Sequence, residues 1–260
     1  MQNSAHLLRL YDEQLRTEAE TPSAVSITRL GPLRLATFPG GRGFITYPHL
    51  RDVEEIDRLV PEALEHYRAD PAIGRVEWKT RGHDNAPGLH EALIRNGFTP
   101  DEPESIMLGE IAALAVDVPL PAGVTLRQVT GEQDVRAMSA MSDEAFGESP
   151  SREMADALLH RLELGTGMQL WVAEADDRIV GAGRLEPVEG SDFAGLWGGA
   201  VLEPWRKRGI YRALTAARAR AALALGKTLV HSDSTEYSRP ILERSGLIKV
   251  STTTPYMWRR

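Results

Sequence analysis

The sequence contains no cysteine among its 260 residues. Disulfide bridges, iron–sulfur clusters, zinc–thiolate sites and a cysteine nucleophile are therefore excluded. No apolar run approaches the roughly 18 residues that a membrane helix needs. The first residues also lack the basic and apolar regions of a secretory signal. These absences predict a cytoplasmic protein that does not span a membrane.

Positive charge is in short supply, because 30 Lys and Arg residues face 37 Asp and Glu residues, for a formal net charge of −7. An acidic chain is a poor match for nucleic acid or for an anionic membrane surface, so neither is an expected partner. No metal site is expected either, because His83 and His90 have no neighbouring carboxylate or thiolate cluster. At about 150 residues per domain, the length fits one large domain or two modest ones, in a monomer or a homodimer.

Segments with an apolar period of two alternate with segments of period 3.6, which predicts an α/β fold of the α+β type. The stretch 112–122 contains Pro119 and Pro121 and indicates an extended connector. We therefore expect two domains, at 1–115 and 123–260. The predicted helices cover about 52–67, 86–95, 132–146, 151–164, 210–225 and 238–245.

An internal repeat supports the two-domain prediction. Four residues of the first half recur in the second half at one constant spacing, each pair with the same identity: Asp84 and Asp233, Leu93 and Leu242, Arg95 and Arg244, Gly97 and Gly246. Both copies predict a strand, an acidic turn, a helix and a glycine at the helix C-terminus. Chance remains the alternative explanation, since such units are common.

The most informative segment joins a predicted strand to a predicted helix. Pro204 ends the strand, and the helix opens directly after the cationic loop Arg206-Lys207-Arg208-Gly209. The unpaired N–H groups and the dipole make a helix start positive, and Gly209 lets a ligand approach the backbone closely. The segment predicts a pyrophosphate site. A plain turn with solvated arginines is the alternative, and Arg218 and Arg220 of the helix are also expected in solvent.

The pattern Val201-x-x-Pro204-x-Arg206-x-x-Gly209-x-Tyr211 resembles the signature of the GNAT acyltransferase superfamily, whose Arg/Gln-x-x-Gly-x-Gly/Ala loop binds acetyl-CoA. Tyr211 departs from it, because the family has a small residue there. The resemblance covers about Val124–Trp258. It implies two GNAT-like three-layer domains, each a central mixed, mostly antiparallel sheet flanked by helices. It also implies acetyl-CoA as the co-substrate, bound by Ala200, Val201, Arg206, Lys207, Arg208, Gly209, Ile210 and Tyr211.

The mechanism that the resemblance implies is direct attack of an amine on the thioester, which requires a base for the ammonium proton. We assign Glu186, at the end of a predicted strand, with an ordinary surface glutamate as the competing interpretation and Glu174 as a weaker candidate. Gly198-Gly199 fits a bulge where the strand before the loop separates from its neighbour, although a packing requirement explains these glycines equally well.

The general acid has no obvious residue, because Leu242 occupies the position where many family members have a tyrosine. Tyr237, at the start of the last predicted helix, is our candidate. Tyr256 in the final strand and protonation by water are the alternatives.

The first half has no counterpart of the cationic loop. Its corresponding helix begins Asp52-Val53-Glu54-Glu55, and negative side chains at that end repel phosphate. This half is therefore predicted to be a degenerate copy, as in tandem members of the superfamily.

The predicted function is acetyl-CoA-dependent N-acetylation of a primary amine on a small molecule. Two alternatives stay open, namely a catalytically silent acyl-CoA sensor and an enzyme that acetylates proteins or peptides.

Overall fold

The computed structural model describes residues 4–260. The first half contains these helices and strands: α1 Ser4–Gln14, β1 Ser26–Leu30, β2 Leu33–Phe38, β3 Arg42–Thr46, α2 Val53–Arg68, β4 Arg75–Arg81, α3 Leu89–Arg95, β5 Thr99–Pro100 and β6 Glu104–Glu110. The second half contains β7 Val124–Val129, α4 Glu132–Phe146, α5 Glu153–Glu163, β8 Gln169–Ala175, β9 Arg178–Pro187, β10 Phe193–Val201, α6 Ile210–Ala224, β11 Leu229–Ser234, α7 Arg239–Arg244 and β12 Ile248–Arg259. Short 3₁₀ helices occupy Glu18–Glu20, Ile111–Ala113 and Glu203–Trp205.

The chain forms two compact units that interleave along the sequence. Unit 1 contains the residues up to Ile106 together with Asp233–Arg239 and Lys249–Arg260, and unit 2 contains Met107–Ser232 and Pro240–Ile248. The sequence predicted two consecutive domains, 1–115 and 123–260. The last strand, β12, instead lies almost entirely in unit 1.

Unit 1 is built on a mixed sheet in the order β1-β2-β3-β4-β12, and β5 also pairs with β12. Strands β3 and β4 are parallel, while β1–β2, β2–β3 and β4–β12 are antiparallel. Helix α2 makes the crossover between the parallel strands. It has an apolar face at helical spacing, and this face is fully buried: Ile56, Leu59, Val60, Ala63 and Leu64.

Unit 2 repeats this plan around the strands β11-β10-β9-β8-β7. Strands β10 and β11 are parallel, with α6 between them in the chain, whereas β7–β8, β8–β9 and β9–β10 are antiparallel. A buried core of aliphatic residues from the strands, α4, α5 and the start of α6 holds the layers together. The predicted fold class is confirmed, because each unit has a mixed, mostly antiparallel sheet flanked by helices.

The internal repeat is also visible in the structure. Helices α3 and α7 each follow the second strand of the parallel pair in their half of the chain. Gly97 and Gly246 come just after these helices, with φ of 86° and 96°. A residue with a side chain is disfavoured in this left-handed conformation, so both copies require glycine.

Among residues 4–260, every helix is too short or too polar to cross a membrane.

Candidate functional site

Strand β10 is irregular just before the cationic loop. Its register with β9 shifts between Trp197 and Ala200, so Gly198-Gly199 forms a bulge, as the sequence predicted. The conformation explains the first glycine, whose φ is 58°. Packing explains the second, because a Cβ on Gly199 would lie 2.7 Å from Cε2 of Tyr211. The expected bulge and the alternative of a packing requirement therefore both apply.

The parallel ladder between β10 and β11 runs through Phe193–Gly195 and Leu229–His231. One residue further along, the Ser232 hydroxyl donates to the Leu196 carbonyl at 2.9 Å. This change in pairing comes just before the bulge of β10. It places the separation of the two strands at the end of β10 that leads into the cationic loop.

Arg206 fixes the shape of that loop. Its Nε donates to the Val201 carbonyl at 3.0 Å, and its terminal nitrogen donates to the Ala145 carbonyl at 2.7 Å. Arg208 lies over the ring of Trp205, with its guanidinium carbon 4.7 Å from the ring centroid. Arg206 thus joins the end of β10 to the end of α4, while Arg208 stays exposed and able to meet a ligand.

Helix α6 begins without a side-chain cap, because its N-cap residue is Gly209 with φ of 86°. Helix α2 of unit 1 is different: Asp52 accepts a hydrogen bond from the Glu55 amide at 2.8 Å, and the Glu55 carboxylate accepts one from the Arg51 amide. Carboxylate oxygens therefore already accept hydrogen bonds from backbone N–H groups at the start of α2. The start of α6 keeps its N–H groups and the positive end of its dipole for an anion.

A cavity of about 380 Å³ lies in unit 2. The lining comes from the connector, from α6, from α7 and from the residue just after α7: Ala113, Leu114, Val116, Val118, Tyr211, Arg212, Thr215, Ile241, Leu242, Arg244 and Ser245. Tyr211 links it to the bulge. The connector also reaches the start of α6, because a Cβ on Gly209 would lie 3.6 Å from the Pro119 carbonyl oxygen. Cavity, bulge and helix start thus form one continuous region of unit 2.

The prediction that Arg218 is in solvent is wrong, because its relative exposure is 2%. Its guanidinium donates to the carbonyls of Arg184, Trp197 and Leu214 and to the Thr215 hydroxyl. In the described part of the chain no carboxylate pairs with it. Burial lowers the pKa of this guanidinium, Tyr211 raises it in part and Arg184 lowers it, and together they bring the pKa to about 10. Arg218 lies in an alanine-rich part of α6, where small neighbours leave room for its long side chain. This pattern does not show in the sequence that the arginine is buried.

Glu186 ends β9 and lies opposite Gly195 of β10. Its carboxylate forms ion pairs with Arg161 at 2.8 Å and with Arg184 at 2.6 Å, and its side chain is 18% exposed. Burial raises the pKa of this carboxyl, but Arg184 and Arg161 outweigh burial, and the pKa lies below its ordinary value. Glu174, the weaker candidate, accepts a hydrogen bond from Arg127 at 2.5 Å.

The two tyrosines proposed as the acid occupy different settings. Tyr237 lies in the turn before α7 and is 92% exposed. Tyr256 lies on β12, and its hydroxyl is 2.7 Å from Nδ1 of His90. The sequence placed Tyr237 at a helix start, but α7 begins two residues later. Both roles stay predictions.

Comparison with known proteins identifies the fold. The family model "Acetyltransferase (GNAT) family" matches residues 135–246. A GCN5-related N-acetyltransferase from Kribbella flavida is 18% identical with a TM-score of 0.66, covering 99% of this chain and 96% of its own. A GCN5-related N-acetyltransferase from Sphaerobacter thermophilus is 19% identical with a TM-score of 0.61, covering 87% and 76%.

A tandem GNAT protein from the clavulanic acid biosynthesis pathway is 15% identical with a TM-score of 0.64, covering 99% of this chain and 96% of its own. No curated protein is similar enough to match. The whole-length likeness to a tandem protein agrees with the repeated strand–helix–strand crossovers. The chain thus has the tandem, two-domain fold of the GNAT superfamily, and its residues 135–246 match the model of the GNAT acetyltransferase family.

Proposed function

We propose that this protein transfers an acetyl group from acetyl-CoA to a primary amine of a small molecule, by direct attack of the amine on the thioester. The observation that carries the proposal is the uncapped, cationic start of α6 at the end of a bulged strand, next to a cavity of about 380 Å³. The family match supports acyl transfer in general. Acetyl-CoA as the donor and a small primary amine as the acceptor are our proposal.

The residues at the start of α6 suit the pyrophosphate of acetyl-CoA. The N–H groups after Gly209 would donate to its oxygens, and Arg208 and Lys207 would add positive charge. Arg206 already donates to two carbonyls, so its main contribution is to hold the loop in shape. The backbone of Ala200 and Val201, beyond the point where β10 leaves β11, is suited to pair with the pantetheine arm. Acetyl-CoA supplies the activated acyl group.

Glu186 remains our proposed base. The amine nitrogen attacks the thioester carbon, and the ammonium that forms must lose a proton before the intermediate collapses. The lowered pKa of Glu186 keeps its carboxylate ionised at neutral pH, as a base must be, but reduces its affinity for that proton. Its partner across the ladder is Gly195, and the Trp197 ring fills the space where a Gly195 side chain would lie.

A silent acyl-CoA sensor is the second candidate. Two arginines neutralise Glu186, and Leu242 stands where the family has its usual acid. A protein with these features could keep the binding site while losing the chemistry. Acylation of proteins or peptides remains a variant of the first proposal with a larger acceptor.

Thiol release separates the two candidates. Purified protein is incubated with acetyl-CoA and a panel of small primary amines, and free thiol is measured against samples without amine or without protein. We expect at least one amine to raise thiol release clearly above both controls. Binding of acetyl-CoA without release on any amine or peptide would favour the sensor.

A further inference from the structure

Many family members have a tyrosine at the position of Leu242, and its hydroxyl would protonate the leaving sulfur. The residues that line the cavity indicate which other hydroxyl could take that role. Leu242 lies on α7 and lines the cavity, and Tyr211 on α6 lines the same cavity. Tyr211 is also the residue that departs from the loop signature. One tyrosine is therefore missing at the α7 position, and another is present where the family has a small residue.

The other hydroxyls that line the cavity are already engaged. Thr215 donates to the Tyr211 carbonyl at 2.9 Å, and Ser245 donates to the Ile241 carbonyl at 2.9 Å. Within residues 4–260, the Tyr211 hydroxyl has no hydrogen-bond partner. It is therefore the hydroxyl in this cavity that is able to donate its proton to a ligand.

The ring of Tyr211 is held at the bulge of β10. The Cβ position of Gly199 lies 2.7 Å from its Cε2 and 3.4 Å from its hydroxyl oxygen, so only glycine leaves room for this ring. The bulge is also where β10 has left β11. A thioester bound along the free edge of β10 therefore brings its sulfur toward Tyr211.

Arg218 makes this tyrosine better suited to lose a proton. Burial raises the pKa of Tyr211, and the Arg218 cation lowers it in part. The tyrosine is therefore protonated at neutral pH, as an acid must be. The buried guanidinium, which has no carboxylate partner in the described chain, would stabilise the tyrosinate that remains.

We propose that Tyr211 is the general acid of the acyl transfer, in place of the tyrosine that the family has at the position of Leu242. This proposal rests on the proposed function. The amine nitrogen bonds to the thioester carbon, whose carbonyl π pair moves to oxygen. When the carbonyl re-forms, the C–S bond breaks with its electron pair on sulfur, and sulfur takes the Tyr211 proton. Water returns a proton to the tyrosinate, and the hydroxide that this leaves takes the amine proton from Glu186, so both side chains regain their starting states.

The test is Tyr211→Phe, measured by the binding of acetyl-CoA and by kcat and KM for acetyl-CoA. The ring that packs on Gly199 is retained and the lost hydroxyl had no partner, so the melting temperature and the Kd for acetyl-CoA should stay close to wild type. We expect kcat to fall by about 100-fold or more, the lower range for loss of a general acid. KM for acetyl-CoA should change little. If the hydroxyl only helped to bind acetyl-CoA, its loss would raise KM instead.

Each other outcome overturns the assignment. If kcat stays within about threefold of wild type, or if KM rises while kcat is kept, Tyr211 is not the acid. A large loss of kcat in Tyr237→Phe or Tyr256→Phe, with Tyr211→Phe unaffected, would assign the role to one of those residues. A wild-type protein that releases no thiol on any acceptor overturns the proposed function as well, so the two failures are distinguishable.

Discussion

At the scale of single residues, the second unit is organised by arginines that act on backbone and carboxylate oxygens. Arg218 donates to the carbonyls of Arg184 and Trp197, which face each other on β9 and β10 where the register shift begins. Arg184 and Arg161 together hold Glu186, which gives that group of three a net positive charge. A buried carboxylate between two cations stabilises the fold only while it is ionised.

Glu186→Gln should therefore lower stability in a pH-dependent way. At pH 7 the variant leaves two partly buried arginines without their carboxylate, which should cost about 3 kcal/mol of unfolding free energy. The folded pKa of Glu186 is lowered, so its contribution is fully present above the ordinary value of 4.5 and is lost as pH falls through the folded pKa. Denaturant unfolding of both proteins at pH 7 and near pH 4 should show the deficit shrinking in acid. A deficit that grows as pH falls would contradict the ion-pair account.

At the scale of elements, the two crossover helices explain why one unit is suited to an anion and the other is not. Both α2 and α6 connect parallel strands. The start of α2 is closed by Asp52 and Glu55, whereas α6 starts with Gly209 beside Arg208. The difference lies in a few side chains at equivalent helix ends, and the backbone plan is shared.

Gly209→Glu tests the start of α6. The new side chain brings bulk and negative charge to the proposed pyrophosphate site and approaches the connector at Pro119, so acetyl-CoA affinity should fall by at least about tenfold. Because φ is 86° at Gly209, strain alone also lowers stability. Gly88→Glu is the matched control, since Gly88 is the N-cap of α3 in unit 1 with φ of 80°.

Both variants should lose a similar amount of stability, and the control should bind acetyl-CoA as wild type does, by calorimetry. Wild-type affinity in both variants would remove the start of α6 from the site. If both variants lose affinity alike, the loss would come from backbone strain and would not depend on position.

Most elements could be predicted from the sequence, and the exceptions have physical reasons. Helices α2 and α4 were predicted to within two residues at each end, because their apolar periodicity is a local signal. Strand β1 was missed because its residues are almost all exposed and show no apolar alternation, and pairing with β2 forms it. Helix α1 was also missed, although Leu7 and Tyr11 are buried at helical spacing.

The parts of the site that depend on local backbone conformation could be predicted from the sequence. The parts that depend on contacts between distant residues could be predicted less well. Gly198-Gly199 and the loop before Gly209 could be located because glycine and helix starts have local meaning. Arg184 lies two residues before Glu186 on the same strand, so the sequence already places both on one face. Arg161 comes from α5, and no spacing in the sequence indicates that ion pair. The burial of Arg218 against the bulge likewise depends on how α6 packs on β9 and β10.

At the scale of the whole molecule, the two units share one architecture but differ in chemistry. Unit 1 includes residues Lys249–Arg260, so a fragment that ends near the connector would lack β12. β12 pairs with β4 along the whole of that strand. The number of ligand sites is therefore best counted on the intact chain.

The measurement that tests the central claim most directly is the stoichiometry of acetyl-CoA binding to the intact protein by isothermal titration calorimetry. Only unit 2 combines an uncapped crossover helix, a cationic loop and a bulged strand in the described chain, so binding should saturate at one equivalent per chain. That single site should bind acetyl-CoA at least about tenfold more weakly in Gly209→Glu and with wild-type affinity in Gly88→Glu. Two equivalents per chain, or one equivalent that keeps wild-type affinity in Gly209→Glu, would contradict the account.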